Sequence, residues 1–161
     1  MYNRYMKKVV RILKPIRFTK EGYNHVKNKH KALKEIRPAA IALLSRARAM
    51  GDLSENGFYK AAKGKLRSID NDIARLEYYL KVGVIHEGNS EQIGVGSKVT
   101  VESNGEVMVF HIVGDYEADP MQKKITLNSP IGRALAEKRL SDKVCVHTPS
   151  GQVVYKVIGI K

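Results

Sequence analysis

The sequence predicts an α+β chain: an N-terminal antiparallel coiled-coil hairpin of two helices, then an antiparallel β domain with one short helix. Three observations predict it. Apolar residues recur at steps of three and four between residues 20 and 80. A stretch with four glycines follows at 83–96. Beyond it the apolar period changes to two. These transitions divide the chain into a basic extension (1–18), a hairpin (19–82), a linker (83–96) and a β domain (97–161).

The first 18 residues contain no acid and include Lys7-Lys8-Val9-Val10-Arg11-Ile12-Leu13-Lys14. The apolar stretch is too short and broken for a secretory signal, and organellar leaders are richer in serine. The segment reads as a basic tail or an extra strand. Residues 20–50 read as a helix, with Val26, Leu33, Ala40 and Ala47 spaced by seven. Ile36, Leu43 and Met50 form a second seam offset by three, broken at its start by Lys29. Pro38 removes a backbone donor and predicts a kink or a helix restart. A second helix carries Tyr59, Ala62, Leu66, Ile69, Ile73, Leu76 and Leu80 in unbroken alternation of three and four. Neither helix can bury its stripe alone, and the short connection around residues 51–54 forces them antiparallel. Some ~30 residues per helix make an arm ~45 Å long, a probe without room for an enclosed pocket.

In the second half, residues 98–101 and 107–113 read as strands joined by an Asn104-Gly105 type I′ turn. Residues 124–127 form a third strand. Ser129 and Pro130 read as the N-cap and first residue of a helix reaching about Lys138. Residues 144–147 and 153–160 complete the sheet across a Thr148-Pro149-Ser150-Gly151 turn. Cys145 alternates with two valines and reads as an inert core thiol.

Composition narrows the function classes. The chain is 161 residues long, 43% hydrophobic and 28% charged, and its single cysteine excludes an internal disulfide or a cysteine-based metal cluster. A lone cysteine and the lack of a membrane-length apolar run fit an intracellular, cytoplasmic protein with no membrane partner. The five histidines show no metal-ligand spacing. Residues 1–81 hold 20 basic and 7 acidic residues, and residues 82–161 hold 9 of each, so the whole excess of +13 lies in the first half. Such a half meets either a polyanion, usually nucleic acid, or only water.

The hairpin tip reads Gly51-Asp52-Leu53-Ser54-Glu55-Asn56. Asp52 as N-cap and Glu55 three residues on would form a capping box worth about 1 kcal/mol. Alternatively both carboxylates point off the tip toward a divalent cation. Mg²⁺ prefers carboxylate oxygens and often takes only one or two from a protein. Two acids on a bare tip cannot complete a site, but they can complete one that another molecule supplies.

The run Arg46-Ala47-Arg48-Ala49-Met50-Gly51-Asp52-Leu53-Ser54-Glu55-Asn56-Gly57-Phe58-Tyr59-Lys60-Ala61-Ala62 closely resembles the tip signature of the Gre transcription elongation factors. The resemblance extends to Thr19-Lys20-Glu21-Gly22, Arg37-Pro38, Ile112-Val113-Gly114-Asp115-Tyr116-Glu117-Ala118-Asp119 and Asn128-Ser129-Pro130-Ile131-Gly132-Arg133-Ala134-Leu135. With Thr148-Pro149-Ser150-Gly151 it covers about residues 16–160. It implies a factor that enters the secondary channel of backtracked bacterial RNA polymerase and stimulates cleavage of the nascent RNA 3′ segment. Asp52 and Glu55 would be the catalytic acids, holding Mg²⁺ shared with the polymerase and none in the isolated protein. Gly51, Leu53, Ser54, Asn56 and Tyr59 would support the tip. Arg46, Arg48, Lys60, Lys63, Lys65 and Arg67 would contact the extruded RNA, with non-specific DNA contact open to the same charge. The resemblance implies an FKBP-like β domain whose Asn128, Ser129, Pro130 and Ile131 dock on a coiled coil of the largest polymerase subunit. No isomerase activity follows from such a fold. The chain would be a monomeric cofactor protein rather than an enzyme.

Gly57 and Phe58 depart from the family's usual alanine and acid, and Phe58, off the heptad, is expected to be exposed. Tyr59 lies on the seam, so core packing competes with a tip role. The subtype stays open, because the basic charge of the hairpin leans toward the GreB-like members and the second-domain motifs toward the GreA-like ones. Two rival functions also stay open: a Gre-like polymerase inhibitor without cleavage activity, and a basic coiled coil that binds nucleic acid alone.

Overall fold

A computed structural model describes residues 14–50, 57–148 and 151–161. Two long helices dominate the first half, α1 (Lys20–Arg48) and α2 (Gly57–Val82). Thr19 starts α1 as an N-cap, its hydroxyl accepting the Gly22 N–H at 3.0 Å. The helix runs without interruption through Pro38, so no restart occurs there. At ~1.5 Å per residue its 29 residues span ~43 Å.

Three apolar clusters stack along the arm. Ile16, Phe18, Val26, Leu76 and Val82 fill its base. Ala40, Ile69 and Ile73 fill the middle, and Leu44, Ala47 and Ala62 the distal end. The α2 stripe lies as its spacing predicts, with Tyr59, Leu66 and Leu80 half-buried and the other four buried.

The second α1 seam does not. Ile36 and Met50 are 49% and 69% exposed, and Leu43 is half-buried. The positions one residue further around the helix meet α2 instead: Leu44 is buried, His30 is half-buried, and Arg37 crosses to α2 while staying exposed. His30 reaches Glu77 at 3.2 Å and Arg37 reaches Asp70 at 2.7 Å, both across to α2. Polar side chains thus occupy a seam that a search for apolar residues places elsewhere.

Two short strands close the base of the arm: β1 (Ile16–Phe18) and β2 (Gly83–Ile85), which pair in parallel. Parallel neighbours need a long crossover, and here the entire hairpin serves as one. Ile16 and Phe18 are buried beneath it, so the last residues of the basic extension are a strand, while residues 1–13 lie outside the described residues. The glycine-rich stretch expected as a linker opens on β2 and buries Ile93 and Val95.

The second half is a five-stranded sheet built from β3 (Lys98–Ser103), β4 (Glu106–Val113), β5 (Lys124–Thr126), β6 (Lys143–Thr148) and β7 (Gly151–Ile160). Its order is β5-β4-β3-β7-β6, with β4 and β5 parallel and every other pair antiparallel. Asn104 and Gly105 have φ of 51° and 80°, the positive pair that a type I′ turn requires. The helix α3 (Pro130–Leu135) covers one face, where Leu135 packs with Val99, Val101, Ile112, Val146 and Val157. Pro149 and Ser150 of the expected turn lie outside the described residues, and Thr148 pairs with Gly151 across them. Cys145 is exposed, contrary to the core assignment. Strand alternation turns Val144 and Val146 inward and Cys145 to the open face.

Candidate functional site

The distal end of the arm is bracketed by Ala49, which caps α1, and Gly57, which opens α2. The residues between them that carry the predicted chemistry, Asp52 and Glu55 with Gly51, Leu53, Ser54 and Asn56, lie outside the described residues. Chain connectivity joins them to the α1 C-terminus and the α2 N-terminus, both at the end of the arm away from β1 and β2.

Around that end the electrostatics are one-sided. Between residues 36 and 69 the sequence holds no acid except Asp52 and Glu55. The cross-helix ion pairs among the described residues fall in the basal and middle parts of the arm: Lys34 with Glu77 at 3.0 Å, and Arg37 with Asp70 at 2.7 Å. Lys34 and His30 hold the Glu77 carboxyl below the usual range by hydrogen bonding to its charged form. Arg46, Arg48, Lys60, Lys63, Lys65 and Arg67 are all exposed and form no ion pair among the described residues. Tyr59 is half-buried, with the Arg48 guanidinium and the Lys63 ammonium each 5.9 Å from its ring centroid. Both cations lie within cation–π range. Its ring therefore packs on the seam and also draws two cations toward the arm's end. Phe58 is 45% exposed, as its place off the heptad predicts.

The second predicted contact region is the start of α3. Ser129 caps the helix, its Oγ accepting the Gly132 N–H at 3.0 Å and donating to the Thr126 carbonyl at 2.8 Å. Pro130 follows at the first helical turn, and a Cβ at Gly132 would overlap the Thr126 carbonyl oxygen. Ile131 packs against the sheet core, while Asn128 and Pro130 are exposed. Asn128 Nδ2 donates to Asp115 Oδ1 at 2.7 Å.

Sequence reasoning did not foresee the joint between arm and β domain. Glu117, in the loop after β4, accepts hydrogen bonds from the Thr19 N–H at 2.8 Å and from the Thr19 hydroxyl. Tyr116 stacks on Tyr79 of α2 with ring centroids 4.3 Å apart. Burial, aided by a hydrogen bond with Tyr116, pushes the Tyr79 phenol up from its ordinary pKa. Beside this joint lies an open cleft of about 710 Å³ whose lining includes Lys20, His25, His86, Lys98 and His111. A local motif cannot announce such a joint, because its partners stand 98 residues apart.

Among the described residues, no group of three or more His, Cys, Asp or Glu could hold a metal, and no helix is long and apolar enough to cross a membrane.

Comparison with known proteins covers nearly the whole chain. Residues 16–85 match the family model for the N-terminal part of transcription elongation factors, and residues 88–161 the model "Transcription elongation factor, GreA/GreB, C-term". The chain is similar to the transcription elongation factor GreA of Thermoanaerobacter pseudethanolicus, with 40% identity over 92% of this chain and 98% of the relative. GreA of Caldanaerobacter subterraneus subsp. tengcongensis is 38% identical over the same shares. Among solved structures, GreA factor homolog 1 of Thermus thermophilus is 30% identical over 92% of this chain and 99% of that one, with a TM-score of 0.44.

Proposed function

The chain belongs to the GreA/GreB family of transcription elongation factors, and from that membership we propose how its residues divide the work on RNA polymerase. As a member it binds bacterial RNA polymerase stalled by backtracking and stimulates cleavage of the nascent transcript. Asp52 and Glu55 are the working groups, delivered by the arm through the secondary channel to the polymerase active centre. The observation that carries this reading is the charge layout. In the sequence, two carboxylates are the only acids between residues 36 and 69, joined at the far end of an arm ~43 Å long to helices that carry six exposed cations.

Each part follows from its chemistry. Asp52 and Glu55 are too few to enclose a hard cation, and suited to completing a coordination shell that the polymerase and the RNA phosphate begin. Mg²⁺ held jointly there would neutralise charge developing on the phosphate and lower the pKa of a bound water. Arg46, Arg48, Lys60, Lys63, Lys65 and Arg67 hold the extruded RNA by its phosphates, where cations spaced along a groove bind without reading sequence. Tyr59 orients Arg48 and Lys63 from beneath. Asn128 and Pro130 present the docking surface for a coiled coil of the largest polymerase subunit, with Ser129 and Ile131 fixing the backbone under them. The protein supplies parts to another enzyme's active site and acts as a cofactor protein.

The double variant Asp52→Asn with Glu55→Gln tests the assignment. Asn and Gln preserve a capping box but are poor Mg²⁺ ligands. The expected result is loss of RNA cleavage in stalled polymerase complexes with binding to polymerase retained. Cleavage at the parent rate would reject it.

A further inference from the structure

We infer that Glu117 and Thr19 are positioning residues for cleavage, fixing the angle at which the arm leaves the β domain. The inference rests on the tip and docking roles proposed above. Its observations are independent of them.

Thr19 is the last residue before α1, and its hydroxyl uses both of its hydrogen-bonding roles. It accepts the Gly22 N–H at 3.0 Å, which starts the arm helix, and donates to Glu117 Oε2. Glu117 Oε1 accepts the Thr19 N–H at 2.8 Å and the Gly114 N–H at 3.3 Å. One carboxylate therefore ties the first turn of the arm to the loop after β4. Two glycines make the approach possible: a Cβ at Gly22 would overlap the Glu117 carboxylate, and one at Gly114 would overlap the Arg17 carbonyl oxygen. The same loop makes two further attachments, Tyr116 stacked on Tyr79 and Asp115 3.9 Å from Arg17. Asp115 also accepts from Asn128. Residues 115–117 thus connect the docking segment to both helices of the arm.

The consequence is one of geometry. A protein that grips its partner at two distant points gains from a stiff connection, because stiffness sets the effective concentration of the second point once the first is bound. A loosened joint leaves docking through Asn128 and Pro130 intact, but lets the far end of the arm sweep a larger volume.

The test uses the full chain. Glu117→Ala leaves the Gly22–Thr19 capping bond in place, so α1 keeps its start. Thr19→Val removes the hydroxyl, and Thr19→Ser restores it. Spin labels on the exposed Cys145 and at Lys29→Cys report the arm-to-sheet distance. The expected result is a narrow distance distribution in the parent and in T19S, broadened in E117A and T19V. With it, the maximal cleavage rate at saturating factor falls ~10-fold or more in the broadened variants, while the half-saturating concentration moves less than ~3-fold. An E117A distribution as narrow as the parent's overturns the inference, and so does a broadened one with an unchanged maximal rate. The tip variant D52N with E55Q, run alongside, separates the two readings: it is expected to lose cleavage with its distances still narrow.

Discussion

At the residue scale, the glycines show how the same amino acid serves opposite ends. Gly132 sits where a Cβ would overlap the Thr126 carbonyl, in the turn that presents Asn128 and Pro130. Gly132→Ala should cost ~1–3 kcal/mol through overpacking, read from urea denaturation, and should weaken polymerase binding by disturbing that turn. Gly64 is the converse case: nothing lies within 4 Å of an added Cβ on the exposed face of α2. Gly64→Ala should raise stability by up to ~1 kcal/mol, since helix entropy is the only thing that changes. Cys145 shows the limit of local reading. A cysteine flanked by valines satisfies a core pattern in either parity, and only the packing of Val144 and Val146 against Leu135 and Tyr155 decides which set faces inward. The Ser129-Pro130 start of α3 and the Asn104-Gly105 turn were legible because their chemistry is local and nearly unambiguous.

At the element scale, the two arm helices differ in legibility for a physical reason. The α2 stripe is continuous, so spacing alone placed Tyr59 to Leu80 on the inward face, but missed the basal Tyr79 and Val82 that pack around Phe18. In α1 the residues that reach α2 at positions 30 and 37 are His and Arg, while apolar Ile36 lies outside. Hydrophobicity then points to the wrong side by one residue. Paired substitutions check the corrected seam. Leu44→Ala should cost ~2–5 kcal/mol of arm stability, as expected for a buried leucine, and Ile36→Ala should cost less than ~1 kcal/mol. The polar layers also give the arm a pH dependence. Glu77 titrates below its ordinary range because Lys34 and His30 favour its charged form. A carboxyl depressed on folding stabilises the native state above its unfolded pKa, and this contribution is lost as pH falls through the lower folded value. Thermal melts by circular dichroism from neutral to acid pH should therefore decline less steeply for Glu77→Gln than for the parent. An extra strand was one of two readings for the segment holding β1, but β2 was read as linker, because three residues carry no period and the pairing spans the whole hairpin.

At the scale of the whole molecule, the chain separates gripping from reaching. On the roles proposed above, the neutral half docks and the basic half enters a partner crowded with phosphate. Replacing Lys60, Lys65 and Arg67 by Gln should weaken binding to stalled complexes that carry extruded RNA. It should also flatten the dependence of log affinity on log salt by ~0.7 for each phosphate that is no longer neutralised. Complexes without extruded RNA should show little change. The broad plan was legible because charge and periodicity both change between the halves. The angle between the halves was not, since it depends on Glu117 finding Thr19 through folding of everything between them.

The parallel pair of β1 and β2 has a consequence for length. Both ends of the hairpin are fastened at one place, so what lies beyond can be lengthened or trimmed like a graduated rod. Removing one heptad from each helix at matching levels should draw the tip back by ~10 Å. The same cut should turn the tip about the arm axis by ~20°, the drift of a straight helix against a seven-residue repeat. The joint and the β domain would not register the change. Reach and grip are thus separate variables in this architecture, and on the roles proposed above a family of shortened arms would measure how deep the polymerase active centre lies from the docking site.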